Sequence, residues 1–136
     1  SQASRDYPRG DLRLEPIEWD LGRIVDAGAR LGDRGGAQLT GIAYVEESIT
    51  GMCEVVHYLS DDKRVCELGL VYVLPEQRGR GIGSALLAAT LAAAAEAWDG
   101  LETAYCSYPA GSAPAEAMMR RVGATVVSST TAWQKL

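Results

Sequence analysis

Between residues 75 and 87 the chain reads "PEQRGRGIGSALL", with Gly79, Gly81 and Gly83 at alternate positions and Arg78 and Arg80 among them. A glycine-rich bend that opens a helix presents several backbone N–H groups at the positive end of the helix dipole, where phosphate oxygens bind readily. Glycine serves there because side chains would block close approach and because such bends use φ above zero. Arg78 and Arg80 add positive charge. A plain strand-to-helix turn with solvated arginines is the competing account, but it needs one glycine rather than three at alternate positions. Two nucleotide sites do not fit. No Gly-Lys pair exists for a GxxxxGK[ST] loop, and GxGxG past mid-chain is not the early GxGxxG of a dinucleotide site.

The second chemical candidate is Glu67, the lone acid in an otherwise apolar stretch from Val65 to Leu74. Burial would raise its pKa toward the range useful to a general base. A glutamate that simply reaches solvent from a strand end explains it equally well. Glu54 and His57, on the preceding strand, are the alternatives. His57 is the only histidine, so a site built on several histidines is excluded within one chain. Cys53, Cys66 and Cys106 are an odd set without CxxC spacing, read as buried, reduced thiols of a cytoplasmic protein.

These residues need elements to hold them. "LRLE" (12–15) alternates and reads as a short strand, closed by Pro16. Apolar residues from Ile17 to Leu31 fall near helical spacing, and "DRGG" ends that helix. Strands are expected at 37–46, 49–59 and 65–74, joined by short turns into an antiparallel meander. After the glycine turn, "IGSALLAATLAAAAEAWDG" is the strongest helix signal in the chain, with Gly100 at its end. "LETAYCSY" (101–108) reads as a strand. "GSAPAEAMMRRVG" (111–123) reads as a short helix with Ser112 as N-cap and Gly123 as its stop. "ATVVSSTTAWQKL" closes as a bent strand or strand pair. The order β-α-β-β-β-α-β-α-β describes an α/β domain around one mixed sheet.

The 136 residues suit a single domain, expected over 11–136 behind a polar, turn-rich tail or linker at 1–10. Net charge is −5, which disfavours a nucleic-acid surface and leaves room for a cationic substrate. No apolar run is long enough to span a bilayer, so no membrane partner is expected.

In this setting "VLPEQRGRGIGSALL" resembles the acetyl-CoA-binding motif of the GNAT superfamily of N-acetyltransferases. Its core [QR]-x-x-G-x-[GA] is filled by Arg78, Gly81 and Gly83. The resemblance implies a GNAT-like α/β (α+β) fold: a mixed, mostly antiparallel sheet flanked by helices, with a splayed strand pair holding the cofactor. It implies acetyl-CoA as cosubstrate and no metal. Amides of Gly79, Arg80, Gly81, Ile82, Gly83 and Ser84 would bind the pyrophosphate. The pantetheine arm would pair with main chain near Val71 and Val73, and the Val73 N–H would polarise the thioester carbonyl. Glu67 matches the catalytic glutamate of the histone-acetylating branch. Ser112 lies near the family's asparagine for the pantetheine arm, although its role as helix cap is the simpler one.

Two departures stand out. Family members commonly place a tyrosine four residues before the glycine that ends the last helix; here that position is Met119. Tyr105 and Tyr108 are the substitutes, with Tyr108 taken as the acid. A single helix also stands where the family has two between its first strands, so the acceptor pocket is expected to be open or completed by a homodimer partner or a second GNAT domain. "TTAWQKL" is similar to the end of the second half of tandem GNAT proteins. The expected function is acetyl transfer to a primary amine by direct attack in a ternary complex. The alternative is a catalytically silent CoA-binding half-domain.

Overall fold

The computed structural model describes residues 21–58 and 62–135, which fall into two compact units. The expected tail at 1–10, the "LRLE" strand and the beginning of the first helix lie outside the described residues. The larger unit, Trp19–Cys106, carries α1 (Leu21–Asp33), β1 (Gly36–Val45), β2 (Ser48–Tyr58), β3 (Val65–Val73), α2 (Ile82–Ala97) and β4 (Thr103–Tyr105). The other unit carries α3 (Ala113–Arg121).

The sheet runs β1-β2-β3-β4, antiparallel through the first three strands and parallel between β3 and β4. This is the mixed, mostly antiparallel sheet with flanking helices that the sequence implied. α1 runs two residues beyond its expected end at Leu31; the Leu31 side chain lies over Gly36, where a Cβ would not fit. The β1–β2 hairpin turns on Glu46 and Glu47, with φ of 50° and 70°. Two consecutive positive φ values are the mark of a type I′ turn, whose twist matches the flanking strands.

Alternation sets the two faces of β2. Cys53, Val55 and His57 are buried on one face, while Met52, Glu54, Val56 and Tyr58 are half-buried on the other. α2 packs on the first face through Leu86, Leu87, Thr90 and Ala94, spaced to fall on one side of a helix. Gly41 lets it approach, because a Cβ there would run into the Thr90 hydroxyl and, at 3.2 Å, into Leu86. At the far end of α2, Trp98 stacks on His57 with ring centroids 5.1 Å apart.

Two sequence expectations fail. β4 spans only Thr103–Tyr105 rather than 101–108, because its partner β3 leaves it after Glu67 and a strand cannot outlast its ladder. Residues 124–135 form no strand: Val126, Val127 and Trp133 are 77%, 89% and 92% exposed. β-formers without a neighbouring strand have nothing to pack against. α3 starts after Ser112 and ends before Gly123, as the sequence implied. Gly123 has φ of 75°, and the next residue's N–H, on Ala124, donates to the Met119 carbonyl at 2.9 Å.

Candidate active site

β3 positions the site, and its two edges differ. Its ladder with β2 continues to the strand end, where the Leu74 N–H donates to the Thr50 carbonyl at 2.8 Å. Antiparallel bonding alternates from there, so the N–H and C=O groups of Val71 and Val73 point away from β2. On that second edge the parallel ladder pairs Val65 with Thr103, Cys66 with Ala104 and Glu67 with Tyr105, then stops. Past Glu67, the Val71 and Val73 main chain carries no ladder on this edge among the described residues. The Val73 carbonyl accepts from Arg78 Nε–H at 2.9 Å.

The chain then makes one 3-10 turn, Pro75–Gln77, and enters the glycine bend. Gly79 and Gly81 take φ of 78° and 80°, a left-handed conformation that L side chains rarely adopt. A Cβ on either would meet no protein atom within 4 Å, so it would point into the open space before the helix. Gly81 is the N-cap of α2, and no side chain caps that end. The Arg78 N–H donates to the Pro75 carbonyl at 3.3 Å, but among the described residues nothing accepts from the N–H groups of Gly79 to Ser84. Gly79, Arg80 and Gly81 are exposed; Ile82, Gly83 and Ser84 are half-buried. This is a nest of free donors at a helix N-terminus, fit for a diphosphate.

The two arginines are held by the protein. Arg78 lies over the Tyr72 ring, 5.4 Å from its centroid, while its Nε braces the end of β3. Arg80 donates to Gln77 Oε1 at 3.0 Å. Both leave guanidinium charge beside the nest.

Glu67 is half-buried on the face opposite α2, in a shallow hollow with Val56, Tyr58, Val65, Cys66 and Tyr105. Tyr105 is its register partner and is 47% exposed. Glu54 shares this face on β2, and burial pushes its carboxyl above the usual glutamate range. The sequence named Glu54 only as an alternative. What it could have flagged is Gly69, a glycine inside an apolar strand: it has no register partner and forms a bulge between Leu68, opposite Val55, and Leu70, opposite Glu54. Burial raises all three thiols, Cys53, Cys66 and Cys106, which makes them poor nucleophiles. Among the described residues no cluster of His, Cys, Asp and Glu could hold a metal ion.

Glu67, Val71, Val73 and the run from Arg78 to Ser84 thus belong to one continuous stretch of the larger unit. Tyr108 and Ser112 stand in the other unit, both half-buried. Ser112 occupies the N-cap position of α3, but its side chain makes no capping bond; Glu116 instead accepts from the Gly111 N–H at 3.3 Å.

Residues 3–124 match the profile of the acetyltransferase (GNAT) family, and the chain belongs to that family. No curated protein sequence matches significantly. Solved structures show the same fold at low identity. AAC(6')-Iy, in complex with the bisubstrate analogue CoA-S-monomethyl-acetylneamine, aligns with a TM-score of 0.66 and 20% identity over 90% of this chain and 84% of that one. A ribosomal-protein-alanine N-acetyltransferase from Brucella melitensis biovar Abortus 2308 gives 0.58 and 22% over 82% and 79%. A tandem GNAT protein from the clavulanic acid biosynthesis pathway gives 0.60 and 18% over 74% of this chain and 33% of that one.

Proposed function

We propose that this protein is an acetyl-CoA-dependent N-acetyltransferase that acetylates a primary amine by direct attack in a ternary complex. The observation that carries this reading is the continuity of two features: the open edge of β3 at Val71 and Val73 leads directly into the unengaged amides from Gly79 to Ser84. A molecule with an amide-rich arm and a diphosphate matches both. Family membership and the CoA-bound AAC(6')-Iy structures support the same ligand.

In this reading the amides of Gly79, Arg80, Gly81, Ile82, Gly83 and Ser84 bind the pyrophosphate, with Arg78 and Arg80 adding charge. Val71 and Val73 pair with the pantetheine arm, and the Val73 N–H faces the thioester oxygen. Acetyl-CoA supplies an activated acyl group: an N–C bond forms as the C–S bond breaks, and the thiolate leaves. α2 covers one face of the sheet, so the amine approaches over the other, where Glu67 is the first candidate for the base and Glu54 the alternative. The ammonium must lose a proton first, since near pKa 10 it has no lone pair at neutral pH. Tyr108 is the candidate acid and Ser112 a candidate contact for the pantetheine arm. The raised thiols favour direct attack over an acyl-cysteine route. Among the described residues no helix is long and apolar enough to cross a membrane; a cytoplasmic setting, which keeps thiols reduced, completes the reading.

The acceptor class follows the neighbours, whose names specify aminoglycosides and the alanine of a ribosomal protein. The test is thiol release from acetyl-CoA with kanamycin, spermidine, a lysine peptide and a peptide beginning with alanine. We expect turnover with at least one amine. Gly81→Trp and Gly83→Trp should abolish CoA binding by filling the phosphate site, and Glu67→Gln should slow turnover without weakening CoA binding. Met119 at the usual acid position favours a second reading, a silent CoA-binding half-domain. Tight CoA binding with no transfer to any amine would select it.

A further inference from the structure

The transferase reading leaves two carboxylates on the face opposite α2, and the sheet register separates their tasks. Glu67 pairs with Val56, whereas Glu54 pairs with Leu70. Residues directly opposite one another share a face, so Glu54, Leu70, Glu67 and Tyr72 all project to the same side. The bulge at Gly69 makes this so, because without the extra residue Leu70 would share the side of Leu68. Glu67 precedes Val73, whose N–H faces the thioester oxygen in this reading, by six positions on its own strand, a Cα separation of roughly 20 Å at ~3.3 Å per residue. Glu54, opposite Leu70, lies one strand over and three steps back from Val73, roughly 11 Å away by the same spacings. Glu54 is the carboxylate nearer the main chain that faces the cofactor gap.

The surroundings of Glu54 suit a proton acceptor. β1 offers it Gln38, Thr40 and Ile42, of which Thr40 is its direct partner. Its own strand offers Met52, Val56 and Tyr58, and β3 offers Leu70, Glu67 and Tyr72. The cations nearby are engaged with rings, Arg78 over Tyr72 and Arg34 over Tyr58. Among the described residues its carboxylate has no hydrogen bond or ion pair. Burial without a countercharge keeps the carboxyl above its ordinary range, closer to the working pH of a base.

We propose that Glu54 takes the proton directly from the acceptor ammonium and that Glu67 passes it on to solvent. This rests on the transferase reading. The ammonium N–H bond breaks and its proton moves to a Glu54 oxygen, leaving the nitrogen lone pair free to form the N–C bond as the thiolate departs. The amine's second proton goes to that thiolate. Protonated Glu54 then loses its proton, through water, to Glu67 and the hollow beside Tyr105.

The experiment compares kcat and kcat/KM across pH for wild type, Glu54→Gln, Glu54→Asp and Glu67→Gln, using whichever amine the wild type acetylates. CoA affinity and thermal melting serve as controls. We expect Glu54→Gln to lower kcat about 100-fold or more with CoA affinity unchanged, and to erase the acidic limb of the profile. Glu54→Asp should recover part of kcat, and Glu67→Gln should cost less than Glu54→Gln and keep the limb. Wild-type kcat and an intact acidic limb in Glu54→Gln, or loss of the limb in Glu67→Gln alone, would overturn this inference and leave the transferase reading standing. CoA binding without any transfer by the wild type would overturn both.

Discussion

At the scale of single residues, His57 shows how far burial governs this chain. It is only 5% exposed, and among the described residues neither ring nitrogen has a hydrogen-bond partner. An unpartnered polar group in the interior costs about 1–3 kcal/mol. The stacked Trp98 ring compensates for shape but not for polarity. His57→Phe, which keeps an aromatic ring against Trp98, should therefore raise stability by about 1 kcal/mol, read as a higher urea midpoint at unchanged slope. A lower midpoint would mean that the imidazole makes an interaction the packing does not show. The same partition by face explains which residues were legible in the sequence. The glycines at 79, 81 and 83 marked a candidate anion site because their type and spacing are local properties. Glu67 and Glu54 could not be ranked, because the ranking depends on which residues stand opposite them.

At the scale of elements, local pattern carried three strands and the long helix. β1, β2 and β3 were placed within a residue or two, since alternation and short turns fix them, and the alanine-leucine run fixed α2. β4 and residues 124–135 were over-read, because β-propensity states that a segment fits a pleated surface and not that such a surface is available. The Gly69 bulge needed the partner strand to become visible. The β1–β2 hairpin offers a test at this scale. Glu46 and Glu47 both occupy positive φ, which Asn and Gly accept at less cost. Replacing the pair with Asn-Gly should stabilise the protein by roughly 1–2 kcal/mol. Chemical denaturation checks it, and a neutral or destabilising result would contradict the turn geometry.

At the scale of the whole molecule, the proposed function rests on the difference between the two edges of β3. One edge pairs with β2 from Glu67 to Val73; the other pairs with β4 only as far as Glu67. The strand continues into a bend whose amides, among the described residues, have no acceptor at the mouth of α2. Family membership and structural likeness give the fold a place among acetyltransferases, and the proposed acceptor face is the one that α2 leaves open. The central claim is that main-chain donors from Gly79 to Ser84 receive a diphosphate. The direct measurement is an amide NMR titration of the labelled protein with coenzyme A. We expect saturable shifts concentrated at Gly79 to Ser84, with smaller ones at Val71 and Val73. Saturable shifts confined to other parts of the chain, with these amides unmoved, would contradict the account.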